Sequence, residues 1–266
     1  MEHAETHPGD HAAPPVRHVH AGRPFAWLAA GLGDLLRAPV PSLFYGLVFG
    51  VVGYVALGVL GRMAHLVTAM ISGFLLISPF LAVGLYRVSQ RLEAGATPAL
   101  ADSLTAWRVN YGSIGLFAAF LGFAFIFWER VSAILFALFY GRNPPPVEDP
   151  GGWIFVAAAE HPGFLALYVL LGGVAAAGVY ALSVVSIPLM LDRPLDPVTA
   201  LLTSLRAVAA NPVALGVWAV LIVALFALGV ATWFAGLVVV MPVLGHASWH
   251  AYRDLVPAET GGRPGG

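Results

Sequence analysis

Residues 212–231 read PVALGVWAVLIVALFALGVA, twenty positions without one charged or amide side chain. Twenty helical residues rise about 30 Å, the thickness of a bilayer's hydrocarbon core, and a helix satisfies its own backbone there. The stretch predicts a transmembrane helix. The same criterion, carried outward along the chain, finds spans at 42–60, 65–86, 111–128, 163–187 and 233–251. Composition agrees, since 59% of the residues are hydrophobic and 10% are charged, with a mean hydropathy of +0.83. Such a chain has too few polar groups to cover a water-facing surface. The expected fold is all-α: a polytopic membrane bundle of about six transmembrane helices in residues 25–256, between polar tails at 1–24 and 257–266. The lipid bilayer is its expected partner.

Several classes are set aside by the same reading. A net charge of −1 offers no basic footprint for nucleic acid. With no cysteine there are no disulfides and no thiol chemistry. All 13 basic residues are arginine, for which we have no physical account. The first 24 residues carry His3, His7, His11, His18 and His20 but no apolar core of a secretory signal, so they read as a disordered tail with no fixed metal geometry.

Six crossings put both termini on one side, together with Arg17, Arg23, Arg37, Arg87, Arg91, Arg108, Arg193, Arg206, Arg253 and Arg263. Arg62, Arg130 and Arg142 lie opposite. The asymmetry of the arginines places both termini in the cytoplasm. Trp27, Trp107 and Trp249 fall at the predicted inner interface and Trp128, Trp153 and Trp233 at the outer, while Trp218 lies about two turns inside its span. Between Glu129 and Pro162, two short apolar stretches at 131–140 and 153–159 flank Pro144, Pro145 and Pro146, and read as interfacial or re-entrant pieces. A tilted third helix reaching Tyr140 is the competing reading. Ser103 to Gly115 echoes Ser204 to Gly216, and Gly31 to Pro39 leads into the first span in a similar way. The repeat suggests three helical hairpins, each preceded by an amphipathic interfacial helix.

Candidate functional residues are few. Pro79, Pro188 and Pro242 each free a carbonyl one turn earlier in a span, with Ser78, Ser183 and Ser186 near enough to satisfy it. They mark either a cytoplasm-facing cavity, as in transporters with broken helices, or ordinary kinks. Gly46 with Gly50, and Gly172 and Gly173 with the small residues 175–178, are packing signals. His246 and His250, one turn apart at the end of the last span, share a helix face that could ligate a metal or a haem iron, or bond a quinone. They are two ligands and not a complete site. The chain lacks Gly-x-Ser-x-Gly, His-Glu-x-x-His and a phosphate loop, and its spans hold almost no carboxylates, so no enzyme activity is expected and no cofactor is required.

The chain also resembles a family of predicted bacterial integral membrane proteins defined only as a domain of unknown function. The resemblance spans roughly residues 25–256 and rests on Trp27 to Asp34, Pro39 with Ser42-Leu43-Phe44-Tyr45-Gly46, Ser78-Pro79-Phe80 through Tyr86, Ser186-Ile187-Pro188 with Leu191-Asp192-Arg193, Asn211-Pro212, and Pro242 with Leu244 to Ala247 and Trp249 to Asp254. It implies an inner-membrane location and no established activity. Similar sequences are sometimes labelled cytochrome c oxidase subunit I. That subunit has about twelve spans and six histidine ligands within them, and this chain has neither. Three functional expectations follow: a non-enzymatic scaffold, assembly partner or passive pathway; a transporter or channel near the three prolines; and a haem- or metal-binding respiratory accessory using His246 and His250. A membrane-protein partner or a homo-oligomer fits the first.

Overall fold

Three of the long apolar helices begin at a proline. The computed structural model describes residues 13–60, 81–141 and 159–258, and the described residues include no strand. Ser78, Pro79, His65, the 144–146 prolines and most of the expected second span lie outside them. The residue before proline is pushed out of the α region. Accordingly Ala38 (φ −133°, ψ 61°), His161 (φ −136°, ψ 67°) and Asn211 (φ −131°, ψ 50°) break the helix just before Pro39, Pro162 and Pro212. Asn110 adopts the same conformation (φ −144°, ψ 56°) with no proline after it. Its amide instead donates to the carbonyls of Met190 and Leu195, at 3.2 and 3.0 Å.

These breaks divide the chain into α1 (Arg23–Arg37), α2 (Pro39–Leu60), α3 (81–93), α4 (Leu100–Leu104) with a 3-10 turn (Ala106–Asn110), and α5 (Tyr111–Tyr140). Then come α6 (Pro162–Ser183), α7 (Ser186–Asp192), α8 (Pro197–Ala210), α9 (Pro212–Ala231) and α10 (Leu237–Leu255). The segments Leu100–Tyr140, Pro162–Asp192 and Pro212–Ala231 are long and apolar enough to cross a membrane. The start of α2 joins α1 at a bend of 109°, so α1 lies across the bundle rather than along it. The helix expected at 233–251 is α10, but it is not among those three. Its second half carries His246, Ser248, His250, Arg253 and Asp254, which lower its hydropathy.

Burial is reversed relative to a water-soluble protein. Phe123, Phe127, Val169, Val174, Val220 and Val223 on α5, α6 and α9 face outward, while Asp34, Ser42, Ser89, Thr203, Ser204, Asn211 and His246 are buried. A lipid solvent accounts for both halves of that pattern. The interfacial helices follow suit: α1 turns Trp27, Gly31 and Asp34 inward and leaves Phe25, Leu32 and Leu36 exposed, and α8 exposes Val198, Leu202 and Leu205.

Three expectations need correction. First, α5 is one helix from Tyr111 to Tyr140, so 131–140 is not a separate interfacial piece. Thirty residues rise about 45 Å, more than the hydrocarbon core, and the end of the helix packs Phe136, Phe139 and Tyr140 around Phe164, with the Phe136 and Phe164 rings 4.8 Å apart. Glu129 and Arg130 pair at 3.0 Å with Arg130 largely exposed.

Second, residues 13–22 are not loose. Arg17 donates its amide to the Leu255 carbonyl (2.8 Å) and Val19 to the Asn211 side chain (2.7 Å), and the Asn211 amide donates back to the Arg17 carbonyl (2.9 Å).

Third, neither Ser183 nor Ser186 takes the Val184 carbonyl that Pro188 frees. Ser183 donates to the Val179 carbonyl within α6, and Ser186 of α7 reaches back across the break to the Leu182 carbonyl of α6. Ser204 of α8 fills that break: its hydroxyl accepts from the Val185 amide (3.3 Å) and donates to the Ala181 carbonyl (2.7 Å). A hydroxyl is thus inserted where the amide and carbonyl would have met, which separates α6 from α7.

Trp27 and Trp249, expected at the inner interface, pack inside the protein. Both are buried, with their indole N–H groups on carboxylates. Trp233 does sit exposed, at a positive φ of 55° in the turn between α9 and α10.

Candidate functional site at the polar end of the bundle

The last three turns of α10 form a hub, because successive residues there face different neighbours. Two glycines let those neighbours close in. A Cβ on Gly31 would lie 2.6 Å from the Val243 carbonyl oxygen, and one on Gly46 would lie 1.9 Å from that of Val238, so α1 and α2 touch the α10 backbone directly.

His246 is fully buried. Its Nε2 lies 2.8 Å from the Ser42 hydroxyl of α2, and its Nδ1 lies 2.8 Å from the Ser89 hydroxyl of α3. Ser42 donates its one proton to the Ala38 carbonyl at 2.7 Å. It must therefore accept from His246, which fixes a proton on Nε2. His250, one turn further on, places Nε2 2.8 Å from Asp34 of α1. Asp34 is almost completely buried. Burial pushes its carboxyl up, but the bond from His250, the nearby Ser89 hydroxyl and the nearby ring charges outweigh that and hold it below the ordinary aspartate range.

Three further knots surround this cluster. Asp192 of α7 accepts from Tyr252 (2.6 Å) and from Gln90 (3.1 Å). Glu93 of α3 accepts from the Trp249 indole (3.0 Å) and pairs with Arg253 (2.8 Å). Asp254 accepts from Arg23 (2.6 Å) and from the Trp27 indole (2.9 Å). Edge-on to Trp27, at 5.9 Å, stands the buried Trp218.

The two candidate histidines therefore share a helix face but not a binding pocket. Neither ring nitrogen of His246 is free, and His250 is committed to Asp34. Among the described residues, no group of three His, Asp or Glu side chains is placed to hold a metal ion. Pro242 lies within α10 and Pro188 within α7. A space of about 180 Å³ between α2, α3, α9 and α10 is lined by Phe49, Leu85, Ile222, Phe226 and Leu244, with hydroxyls from Tyr86 and Ser248, and neither proline lines it.

Residues 66–192 match the family model DUF2189, a predicted integral membrane protein. This is the kind of family that the sequence motifs pointed to, over a narrower stretch than 25–256. The match includes Ser89, Glu93 and Asp192 of the polar end, whereas Asp34, Ser42, His246 and His250 lie outside it. No curated protein and no solved structure matches the chain.

Asp34, Ser42 and Ser89 were not picked out as site residues from sequence. Asp34 gave a signal, being an acid on the inward face of an otherwise apolar helix. Nothing around Ser89 marks it, because its role depends on α3 meeting α10.

Proposed function

We propose that the chain is a non-enzymatic, multi-pass protein of the inner membrane, with both termini in the cytoplasm, that acts as a scaffold or assembly partner. The observation that carries this reading is the commitment of the polar end to itself. His246, His250, Asp34, Glu93, Asp192 and Asp254, the groups that chemistry would need, all bond residues of the same chain. Their bonds hold α1, α2, α3, α7 and α10 together, which is a structural task. Haem or metal ligation by His246 would have to use a ring nitrogen that already bonds a buried serine, Ser42 at Nε2 or Ser89 at Nδ1. A solute pathway finds less support as well, since the space of about 180 Å³ among α2, α3, α9 and α10 is mostly apolar and not lined by Pro188 or Pro242, and the break before Pro188 is filled by Ser204.

The test is an optical spectrum with elemental metal analysis of detergent-purified protein lacking residues 1–12, which removes three tail histidines and keeps the strap 13–22. Its His246→Ala and His250→Ala variants are measured alongside. The expected result is no stoichiometric haem or metal in any sample, with lower stability in both variants. A near-stoichiometric signal that disappears in either variant overturns the scaffold reading in favour of a respiratory accessory.

A further inference from the structure

We propose that the start of α5 carries a binding site for the phosphate headgroup of an anionic membrane lipid, centred on Arg108. Three arginines of the polar end are neutralised within the chain: Arg23 by Asp254 (2.6 Å), Arg91 by Asp102 (2.8 Å) and Arg253 by Glu93 (2.8 Å). Arg108 is exposed and pairs with no acid among the described residues. Its guanidinium instead lies over the ring of Trp107, 5.5 Å from the centroid, within the range of a cation–π contact. Stacking occupies the flat face of the group. It leaves the N–H edge, the part whose fork fits two phosphate oxygens at once.

Arg108 lines a cavity of about 420 Å³ together with Asn110, Tyr111, Ser113 and Pro197. Its shape is fixed by bonds to the segment that joins α7 to α8. The Asn110 amide donates to the Met190 and Leu195 carbonyls, and the Ser113 hydroxyl donates to Leu195 at 3.1 Å. Those polar groups are spent on the fold. The Tyr111 hydroxyl is not: the residue is exposed, and beside Arg108 it supplies a second donor for a phosphate oxygen. Neither nearby acid pairs with Arg108. Asp102 is held by Arg91, and Asp196 accepts from the Thr199 amide (3.0 Å) and hydroxyl (2.6 Å) at the start of α8.

The surface around the cavity favours a lipid over free phosphate. Val109 and Leu116 line it and are each more than half exposed, as is Val198 of α8 just beyond Pro197. From Leu116 the uncovered apolar stripe continues along α5 through Phe123 and Phe127, whose spacing keeps them on one helix face. This is the part of α5 that enters the membrane. A headgroup held at Arg108 and Tyr111 therefore has its acyl chains beside an apolar ridge, and both halves of the lipid are met. Free phosphate would gain only the polar half.

The test is native mass spectrometry of the full chain in a neutral detergent, titrated with phosphatidylglycerol or with phosphatidylcholine of the same acyl chains. Both lipids carry the phosphate, but choline adds a compensating positive charge. The wild type is expected to bind phosphatidylglycerol more tightly. Arg108→Gln should weaken that binding about fivefold, the effect of one basic side chain near anionic lipid, and leave phosphatidylcholine binding unchanged. Arg108→Lys, which keeps the charge and loses the fork, should fall between the two. Arg206→Gln removes an exposed arginine of α8 outside the cavity lining and should stay close to the wild type. Melting temperatures equal to the wild type check that the variants fold. Equal affinity for the two lipids in the wild type, or equal losses in the Arg108→Gln and Arg206→Gln variants, overturns the site. Displacement of phosphatidylglycerol by equimolar inorganic phosphate overturns the lipid as its ligand in favour of free phosphate.

Discussion

Trp218 shows how a residue that breaks the sequence pattern can be explained by one neighbour. Tryptophan favours the membrane interface because its N–H seeks a partner, yet Trp218 sits inside its span. The structure puts Trp27 over it, edge to face, and leaves the Trp218 N–H buried without a hydrogen bond. A buried unpaired donor costs about 1–3 kcal/mol. Trp218→Phe keeps the ring contact and removes the donor, so thermal unfolding in detergent should show stability equal to or above the wild type. A drop beyond about 2 kcal/mol would mean that the larger ring volume, not the N–H, dominates at this site.

At the scale of helices, small residues were legible as contact signals, but the sequence did not say which ones are used. Gly46, Gly50 and Gly172 each have a neighbouring helix so close that a Cβ would meet Val238 or Trp128 at 3.0 Å or less. Gly173, with nothing within 4 Å, has open space. Gly46→Val should therefore separate α2 from α10 and cost at least about 2 kcal/mol, the scale of overpacking in a tight interface, whereas Gly173→Val should be tolerated. Comparing the two by the yield of monodisperse, thermally stable protein checks the assignment, and equal behaviour would contradict it. The span starts carried a signal of another kind. A proline disfavours helix at its predecessor, and Ala38, His161 and Asn211 follow that rule, although Val40, Ile187 and Met241 stay helical before Pro41, Pro188 and Pro242. The break at Val185 had no such signal, since it needs a hydroxyl delivered from α8.

Across the whole molecule, the polar end is one hydrogen-bonded layer beneath an apolar, lipid-facing bundle, and its stability should depend on pH. The fold lowers the Asp34 carboxyl below its ordinary value of 3.8, so the native state binds fewer protons there than the unfolded chain does. That contribution is present above the unfolded value and is lost as pH falls through the lower folded one. Hydrogen exchange of α1 followed from pH 7 down to pH 3 should show protection falling at the acid end, with Asp34→Asn starting lower and losing the dependence. Flat protection in the wild type over that range would show that the docking of α1 does not depend on the Asp34 charge.

The sequence by itself determined that this is an all-helical membrane protein with interfacial helices leading into apolar ones. Twenty apolar residues in a row have one stable answer in lipid, and a proline before such a run ends the preceding helix. It also pointed to the 245–254 stretch as the place where polar residues concentrate. What that concentration is for was decided only by the tertiary structure. His246 and His250 look like a pair of ligands while only their spacing on one helix is known. Once α1, α2 and α3 are packed around them, Ser42, Ser89 and Asp34 take up the bonds that such ligands would offer. Periodicity along one helix fixes which side chains share a face, but the bonding partners come from residues up to about 200 positions away in the chain, and no local pattern encodes that meeting.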